Sequence, residues 1–299
     1  MEFKKLDEFV ALAKSGKKKR LVVVAAADDT VLEAVYKAYR EDIIEPVLVG
    51  DRDAIQKICT SLKIRFNDVE IVQESNPAEA AKKAVQLIHQ GKGEILMKGF
   101  LSSDLFLKPI VNKESGLRKS SLISHITFVE NPFYHKLLAL SDVAVNISPT
   151  FEEKITIIEN SVNVFHKLGV ECPKVAIVSA IETVNPKMES SVHAAMLTMM
   201  NKRNQIKGCM IDGPLALDNA VSKEAAKHKG IVSDVAGDVD LIVCPDIVSA
   251  NIFYKSMVFL GNSYLAAMVL GAQVPVILTS RADSDKSKMM SIALAAAMK

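Results

Sequence analysis

Short apolar runs recur along this chain, each followed by a longer stretch in which apolar positions return every three or four residues. RLVVVAAA (20–27) has the β-branched, uninterrupted composition of a buried strand. DDTVLEAVYKAYRED (28–42) follows, with Val31, Val35, Ala38 and Tyr39 on one helical face and Asp29 or Thr30 suited to cap it. EPVLVGD (45–51), VEIVQ (69–73) and EILMKGF (94–100) read as further strands. Between them, DAIQKICTSLKI (53–64) and NPAEAAKKAVQLIHQGKG (76–93) read as helices. The second opens on Asn76-Pro77 and stops near Gly91 and Gly93, a cap-plus-proline start and a glycine end.

The rhythm continues beyond residue 120. SLISHITFVENP (121–132), DVAVNIS (142–148), KVAIVSA (174–180), DLIVCPD (240–246) and VPVIL (274–278) are expected strands. KITIIENSVNVFHKLG (154–169), SVHAAMLTMMNKRN (191–204) and ANIFYKSMVFLGNSYLAAMVLG (250–271) are expected helices. Strands alternating with helices predict an α/β fold, a mostly parallel sheet with helices on both faces. The most apolar stretch, 257–273, is too short to span a bilayer and contains Asn262, so it is expected as a buried core helix.

Composition narrows the function classes. The chain has 299 residues, 49% hydrophobic and 24% charged, enough for two ordinary domains and too apolar for disorder. A net charge of +2 gives no electrostatic reason to expect nucleic acid or membrane as a partner. The opening MEFKKLDEFVALAKSGKKKR lacks an uncharged apolar core, so it does not read as a secretory signal. Cys59, Cys172, Cys209 and Cys244 are scattered, which suits free thiols in a reducing cytoplasm. The six histidines show no zinc spacing, and no metal is expected. The dinucleotide, P-loop and nucleophile-elbow motifs are all absent.

Ligands of open parallel sheets collect beyond the carboxyl ends of the strands. The residues there are Gly50-Asp51, Lys98-Gly99, Ser102-Ser103, Asn146, Ser179, Asp212-Gly213, Asp246 and, after 274–278, TSRADSD (279–285). Most are ordinary turn residues. The last cluster is denser, and Arg281 is suited to hold phosphate or carboxylate in a bidentate fork. The plain alternative is an arginine paired with Asp283 or Asp285 at a helix start.

Several blocks then resemble the phosphate acetyltransferase and phosphate butyryltransferase family. MKGFLSSDLFLKPIV (97–111) is similar to a segment with a glycine, a hydroxyl cluster and a basic residue before proline. MIDGPLALDNAVS (210–222) resembles the family's DG-x-L-x-x-D-x-A block. DLIVCPDIVSANIFYKSMVFLG (240–261) resembles its PD-x-x-x-x-N-x-x-YK signature. TSRADSDKS stands where the acetate enzymes carry LSRG, and this departure makes the chain look closer to phosphate butyryltransferase.

The resemblance implies two α/β domains, three-layer α/β/α, of the isocitrate/isopropylmalate dehydrogenase architecture with the active-site cleft between them. The expected domains are 1–125 with 273–299, and 126–272. It implies exchange of an acyl group between CoA and orthophosphate, butyryl-CoA plus phosphate giving butyryl phosphate and CoA, by direct attack in a ternary complex. No bound cofactor or metal is implied; CoA and its thioester are substrates, and the protein is expected as a cytoplasmic homo-oligomer. Ser280 and Arg281 match the family's serine-arginine pair, as hydrogen-bond donor and phosphate or oxyanion clamp. The family's catalytic aspartate falls on Ser287, so Asp283, or else Asp285, is the expected acid-base group. Lys108 replaces a phosphate-binding arginine, and Ser102, Ser103, Arg118, Asp285 and Ser287 are further phosphate/CoA-binding candidates.

The competing expectations are an acetyl or longer-chain phosphate acyltransferase, a non-catalytic CoA- or phosphate-binding relative, and a decarboxylating dehydrogenase. The last would need a metal-binding aspartate cluster and a cofactor loop that this sequence does not show.

Overall fold

The protein is described from a computed structural model, which covers residues 2–279 and 283–298. In chain order the first elements are α1 (Asp7–Lys14), β1 (Lys19–Val24), α2 (Asp29–Arg40), β2 (Ile44–Gly50), α3 (Arg52–Ser61) and β3 (Glu70–Gln73). Next come α4 (Pro77–His89), β4 (Ile95–Lys98), α5 (Ser103–Val111), β5 (Ser124–Glu130), β6 (Leu138–Ser141), α6 (Phe151–Lys167) and β7 (Lys174–Val178). Then follow α7 (Glu189–Lys202), β8 (Met210–Leu215), α8 (Leu217–Val221), α9 (Lys223–His228) and β9 (Leu241–Val243). The last are α10 (Ile247–Phe259), β10 (Tyr264–Leu270), β11 (Val276–Ile277) and α11 (Asp285–Ala297).

The chain divides into two compact units. The flanking unit comprises 7–123 and 266–299; the central unit comprises 1–6 and 124–265. In the flanking unit the strands run in the order β3-β2-β1-β4-β11-β10, and all neighbouring pairs are parallel except β10–β11. The chain steps outward from β1 to β3 and then returns across them to β4. Right-handed crossovers in opposite directions place helices on opposite faces. Accordingly α1, α2 and α11 pack together, while α4 packs on β1 and α5. Leu21–Val24 of β1 are inaccessible to solvent, the mark of a strand covered on both sides.

In the central unit the order is β5-β6-β9-β7-β8, parallel from β6 onward and antiparallel between β5 and β6. Its core joins Val129, Leu138, Leu140, Ala176 and Ile242 from the sheet to Ala220, Ala226 and Ala250 from helices. Helix α6 opens with a full capping box, Thr150 and Glu153 each bonding the other's backbone N–H.

Three expectations from the pattern need correction. The cap of α2 is Asp28, whose Oδ1 accepts from Val31 N at 3.0 Å, not Asp29 or Thr30. DVAVNIS is not a strand: Asp142 Oδ1 accepts from the N–H groups of Ala144 and Val145, bending the backbone away from any ladder. The strand of this region is β6, just upstream. The stretch 257–273 is not one helix. Helix α10 ends at Phe259, the chain turns at Asn262 with φ 49, and β10 runs from Tyr264. A run buried on both faces carries no periodicity to separate strand from helix.

Candidate active site

In the flanking unit β4 and β11 lie side by side in parallel register, Leu96 opposite Val276 and Met97 opposite Ile277. Their carboxyl ends are therefore adjacent, and the two segments richest in candidate chemistry start from them. From β4 the chain turns through Lys98-Gly99. Gly99 N donates to Val24 O at 2.8 Å, and a Cβ there would sit far inside contact distance of the Val24 and Ala25 carbonyl oxygens. Only glycine lets this turn approach β1 so closely. The chain then enters α5 through Ser102, whose Oγ accepts from Leu105 N.

From β11 the chain passes through buried Thr279 to α11. Ser280 and Arg281 lie outside the described residues. Asp283 is half-buried, and its carbonyl accepts a hydrogen bond from the ammonium of Lys288, itself buried in α11. Ser284 caps α11 by accepting from Ser287 N. Two helix N-termini, α5 and α11, thus open from neighbouring strand ends, and each contributes positive partial charge there. Two buried lysines add to it: Lys288, and Lys98, whose Nζ donates to Leu101 O at 3.1 Å. An electropositive, glycine-permitted strand edge of this kind suits an anion.

The candidates divide clearly by position. Asp283, Asp285 and Ser287 lie at the start of α11; Ser102 and Ser103 lie at the start of α5, exposed. Lys108 is exposed in the last turn of α5, about 7.5 Å along the axis from Ser103 at 1.5 Å per residue. Asp285 pairs with Lys37 of α2 at 3.6 Å, so its carboxylate is turned toward that helix. The side chain of Ser287 is buried, with its Oγ 3.2 Å from that of Ser284. Arg118 is not brought to this group. It bridges to Ala272, on the segment that leads into the amino end of β11, and its Nε donates to Ser120 O. That is the opposite edge of the sheet.

The strand ends of the central unit carry a second set of polar groups. Asp142, buried after β6, accepts from Ala144 N, Val145 N and Asn146 Nδ2 at 2.9, 3.0 and 2.6 Å. His125 is buried at the start of β5; burial pulls its pKa down and Asp142 opposes that pull, leaving the imidazole neutral. Asp246, after β9, caps α10 by accepting from Ser249 N at 2.8 Å. Asn251 of the same helix donates to Val143 O and fixes the loop after β6. Sequence reasoning had not singled out the burial of Lys98 and Lys288, nor the buried Asp142. A lysine or aspartate beside a turn reads as solvated until packing covers it. Among the described residues, no group of His, Cys, Asp and Glu is arranged to hold a metal ion.

Comparison with known proteins shows what the chain as a whole resembles. The family model described as phosphate acetyl/butaryl transferase matches residues 5–82 and 56–296. The phosphate butyryltransferase of Clostridium acetobutylicum is 46% identical over 293 residues, 98% of this chain and 97% of that protein. The phosphate acetyltransferase of Thermotoga maritima is also 46% identical, over 291 residues, 97% of this chain and 98% of that protein. Among solved structures, the branched-chain phosphotransacylase of Enterococcus faecalis superposes with a TM-score of 0.81 at 34% identity. That match covers 93% of this chain and 97% of that one.

Proposed function

Because the chain belongs to the phosphate acetyl/butyryl transferase family, we propose that it exchanges a butyryl group between CoA and orthophosphate. The observation that carries this reading is 46% identity to a phosphate butyryltransferase over 98% of this chain and 97% of that protein. In the reaction a phosphate oxygen attacks the thioester carbonyl carbon, a tetrahedral oxyanion forms, the C–S bond breaks and CoA leaves as thiolate. In reverse the thiolate attacks the acyl phosphate and the C–O bond to phosphate breaks.

Each step requires a group that this chain possesses. Phosphate and thiolate are both anionic, so a cation must hold the phosphate; Arg281 takes that role, with the electropositive ends of α5 and α11 in support. Ser280 donates to the oxyanion, an interaction whose loss typically costs about 3 kcal/mol of barrier. A free thiol near pKa 8.5 is only a few per cent ionised at neutral pH, so a base is needed, and Asp283 is assigned it. The pairing of Asp285 with Lys37 favours Asp283 over its neighbour. Ser102, Ser103 and Lys108 on α5 contact the substrate anions. The substrates are acyl-CoA and phosphate, with no resident cofactor.

We further read the protein as a cytoplasmic homo-oligomer. Among the described residues no helix is long and apolar enough to cross a membrane. Met196 and Met199 of α7 and Val248, Ile252 and Phe259 of α10 expose apolar surface of the kind a second copy covers.

Identity to the Thermotoga maritima acetyltransferase equals that to the butyryltransferase, so acetyl transfer is the second reading. Phosphate-dependent release of CoA from butyryl-CoA and acetyl-CoA, by wild type and Arg281→Ala, tests both. Fast release from butyryl-CoA, slow release from acetyl-CoA and collapse in the variant are expected. The reverse preference would make acetyl the substrate group. No release from either thioester, by folded protein that binds CoA, would leave a non-catalytic relative.

A further inference from the structure

Helix α3 and the loop 62–69 that follows it lie over the edge strands β2 and β3 of the flanking unit. Between them is a cavity of about 670 Å³. That size falls in the range of small-molecule sites, about 300–1,000 Å³. Leu48 of β2 and Ile55 of α3 are buried beneath it, while Phe66, Val69 and Ile71 line it half-buried and leave apolar surface open. The Phe66 ring is braced edge-on by Tyr36 and Tyr39 of α2, with centroids 5.4 and 5.5 Å away. This wall is therefore preformed.

The charged lining has one sign. Lys63 and Arg65 line the cavity, and no Asp or Glu does. Both side chains are exposed and so stand at its rim. Among the described residues neither forms an ion pair or a side-chain hydrogen bond. Acids nearby in the chain do not intervene. Glu70 of β3 is held by Arg20 at 2.9 Å, and Asp68 is exposed and lies outside the lining. Nor is Lys63 needed to close α3. The carbonyls of Ile58, Cys59 and Thr60 accept from the N–H groups of Leu62, Ile64 and Lys63, so backbone alone completes that helix end.

An apolar floor beneath two unengaged cations suits an amphipathic anion. The apolar part is mostly aliphatic, which favours an alkyl chain. Each cation has a long flexible stem, so a carboxylate at the rim can be met without a fixed geometry.

We propose that this cavity binds an alkyl carboxylate of medium chain length. Its chain lies on Phe66, Val69 and Ile71, and its carboxylate stays at the rim with Lys63 and Arg65. β3 stands three strand spacings from β4, about 14 Å across the sheet. The cavity is thus separate from the candidate active site, and the proposal does not rest on the acyl-transfer reading.

The test is a titration of the full-length protein, ¹³C-labelled at its isoleucine δ1 methyls, with monomeric octanoate. Octanol and octylammonium are the controls. With octanoate the methyls of Ile55, Ile64 and Ile71 should move with one affinity while isoleucines outside the lining stay still. Octanol should bind about tenfold or more weakly, for want of charge-assisted contacts, and octylammonium weaker still. Hexanoate, octanoate and decanoate should bind in rising order, by up to about fourfold per methylene. Lys63→Gln/Arg65→Gln changes only exposed positions, so it should melt like wild type and bind octanoate no better than octanol. Lining methyls that stay still, or methyls that move throughout the protein, would overturn the proposal. Octanol binding wild type as tightly as octanoate would also overturn it, a result that decides the matter even if the double variant does not fold. Wild-type octanoate affinity in the double variant sinks it equally.

Discussion

Lys136 offers the sharpest test of how the central unit is held together. Its side chain is 3% exposed and its ammonium lies 3.1 Å from Asp238 and 2.6 Å from Asp240, themselves 20% and 16% exposed. Lys174 and His135 also bond Asp238, at 2.7 and 2.8 Å. Lys136 precedes β6, Asp240 precedes β9 and Lys174 opens β7, so the cluster clasps the amino ends of three parallel strands. Replacing Lys136 with Met leaves two carboxylates without their shared cation. Breaking a fully buried pair this way costs about 3–5 kcal/mol. Lys174 and His135 still hold Asp238 and both carboxylates keep some water, so the expected loss is about 2–3 kcal/mol.

The pH dependence carries a sign. Burial pushes the Asp238 carboxyl up, but hydrogen bonds from Lys174, His135 and Lys136 outweigh it and hold it well below the usual carboxylate range. Its contribution is therefore complete above the unfolded value, about 3.9, and is lost as pH falls toward the folded one. The difference between wild type and Lys136→Met should be greatest at pH 7 and shrink as the pH is lowered through about 4. Urea unfolding followed by circular dichroism measures it, with kcat expected unchanged because the clasp sits at the strand edge remote from ligands. A loss under about 0.5 kcal/mol at pH 7, or one that does not vary with pH, would refute the account.

Three further outcomes are expected. Gly99→Ala forces a Cβ against the carbonyls of Val24, at the end of β1, and Ala25, just past it, which are main chain and cannot yield cheaply, so about 1–3 kcal/mol of stability and much of the turnover should be lost; a variant with wild-type melting and kcat contradicts the close approach. Asp283→Asn should lower kcat about 10²- to 10⁴-fold with little change in phosphate KM, while Asp285→Asn, which loses only a surface pair to Lys37, should stay near wild type. Comparable rates for the two would move the base elsewhere. Burial pushes the thiols of Cys209 and Cys244 up to about 12, so iodoacetamide at pH 8 should modify exposed Cys172 in the native protein and spare both, as read by peptide mass spectrometry. Equal labelling would mean these thiols are not packed as described.

Much of the architecture was legible because it depends on local chemistry. Residues 20–27, 45–51, 69–73 and 94–100 each overlap a strand, and Asn76-Pro77 opens α4 as its residue types require. The dense TSRADSD cluster stood out because hydroxyls, a guanidinium and carboxylates rarely gather at the end of an apolar run without a use. Asp283, Asp285 and Ser287 lie together at the start of α11, while the same reasoning placed Arg118 with them although its segment bridges to Ala272. Nothing in SGLRKSS distinguishes a loop at one edge of a sheet from a loop at the other.

The amino-acid sequence by itself determined the alternation of strands and helices, the Asn76-Pro77 start of α4 and the family, since propensity, side-chain period and motif are carried by neighbouring residues. Tertiary structure decided whether 257–273 was helix or strand, because a run buried all round has no polar face to give it a period. It also decided which charges are buried. Lys136 meets Asp238 across 102 residues and Lys154 meets His193 across 39, and each lysine, read locally, is an ordinary surface residue. Strand order brings these groups together, and strand order is set by long-range burial, which no local window contains.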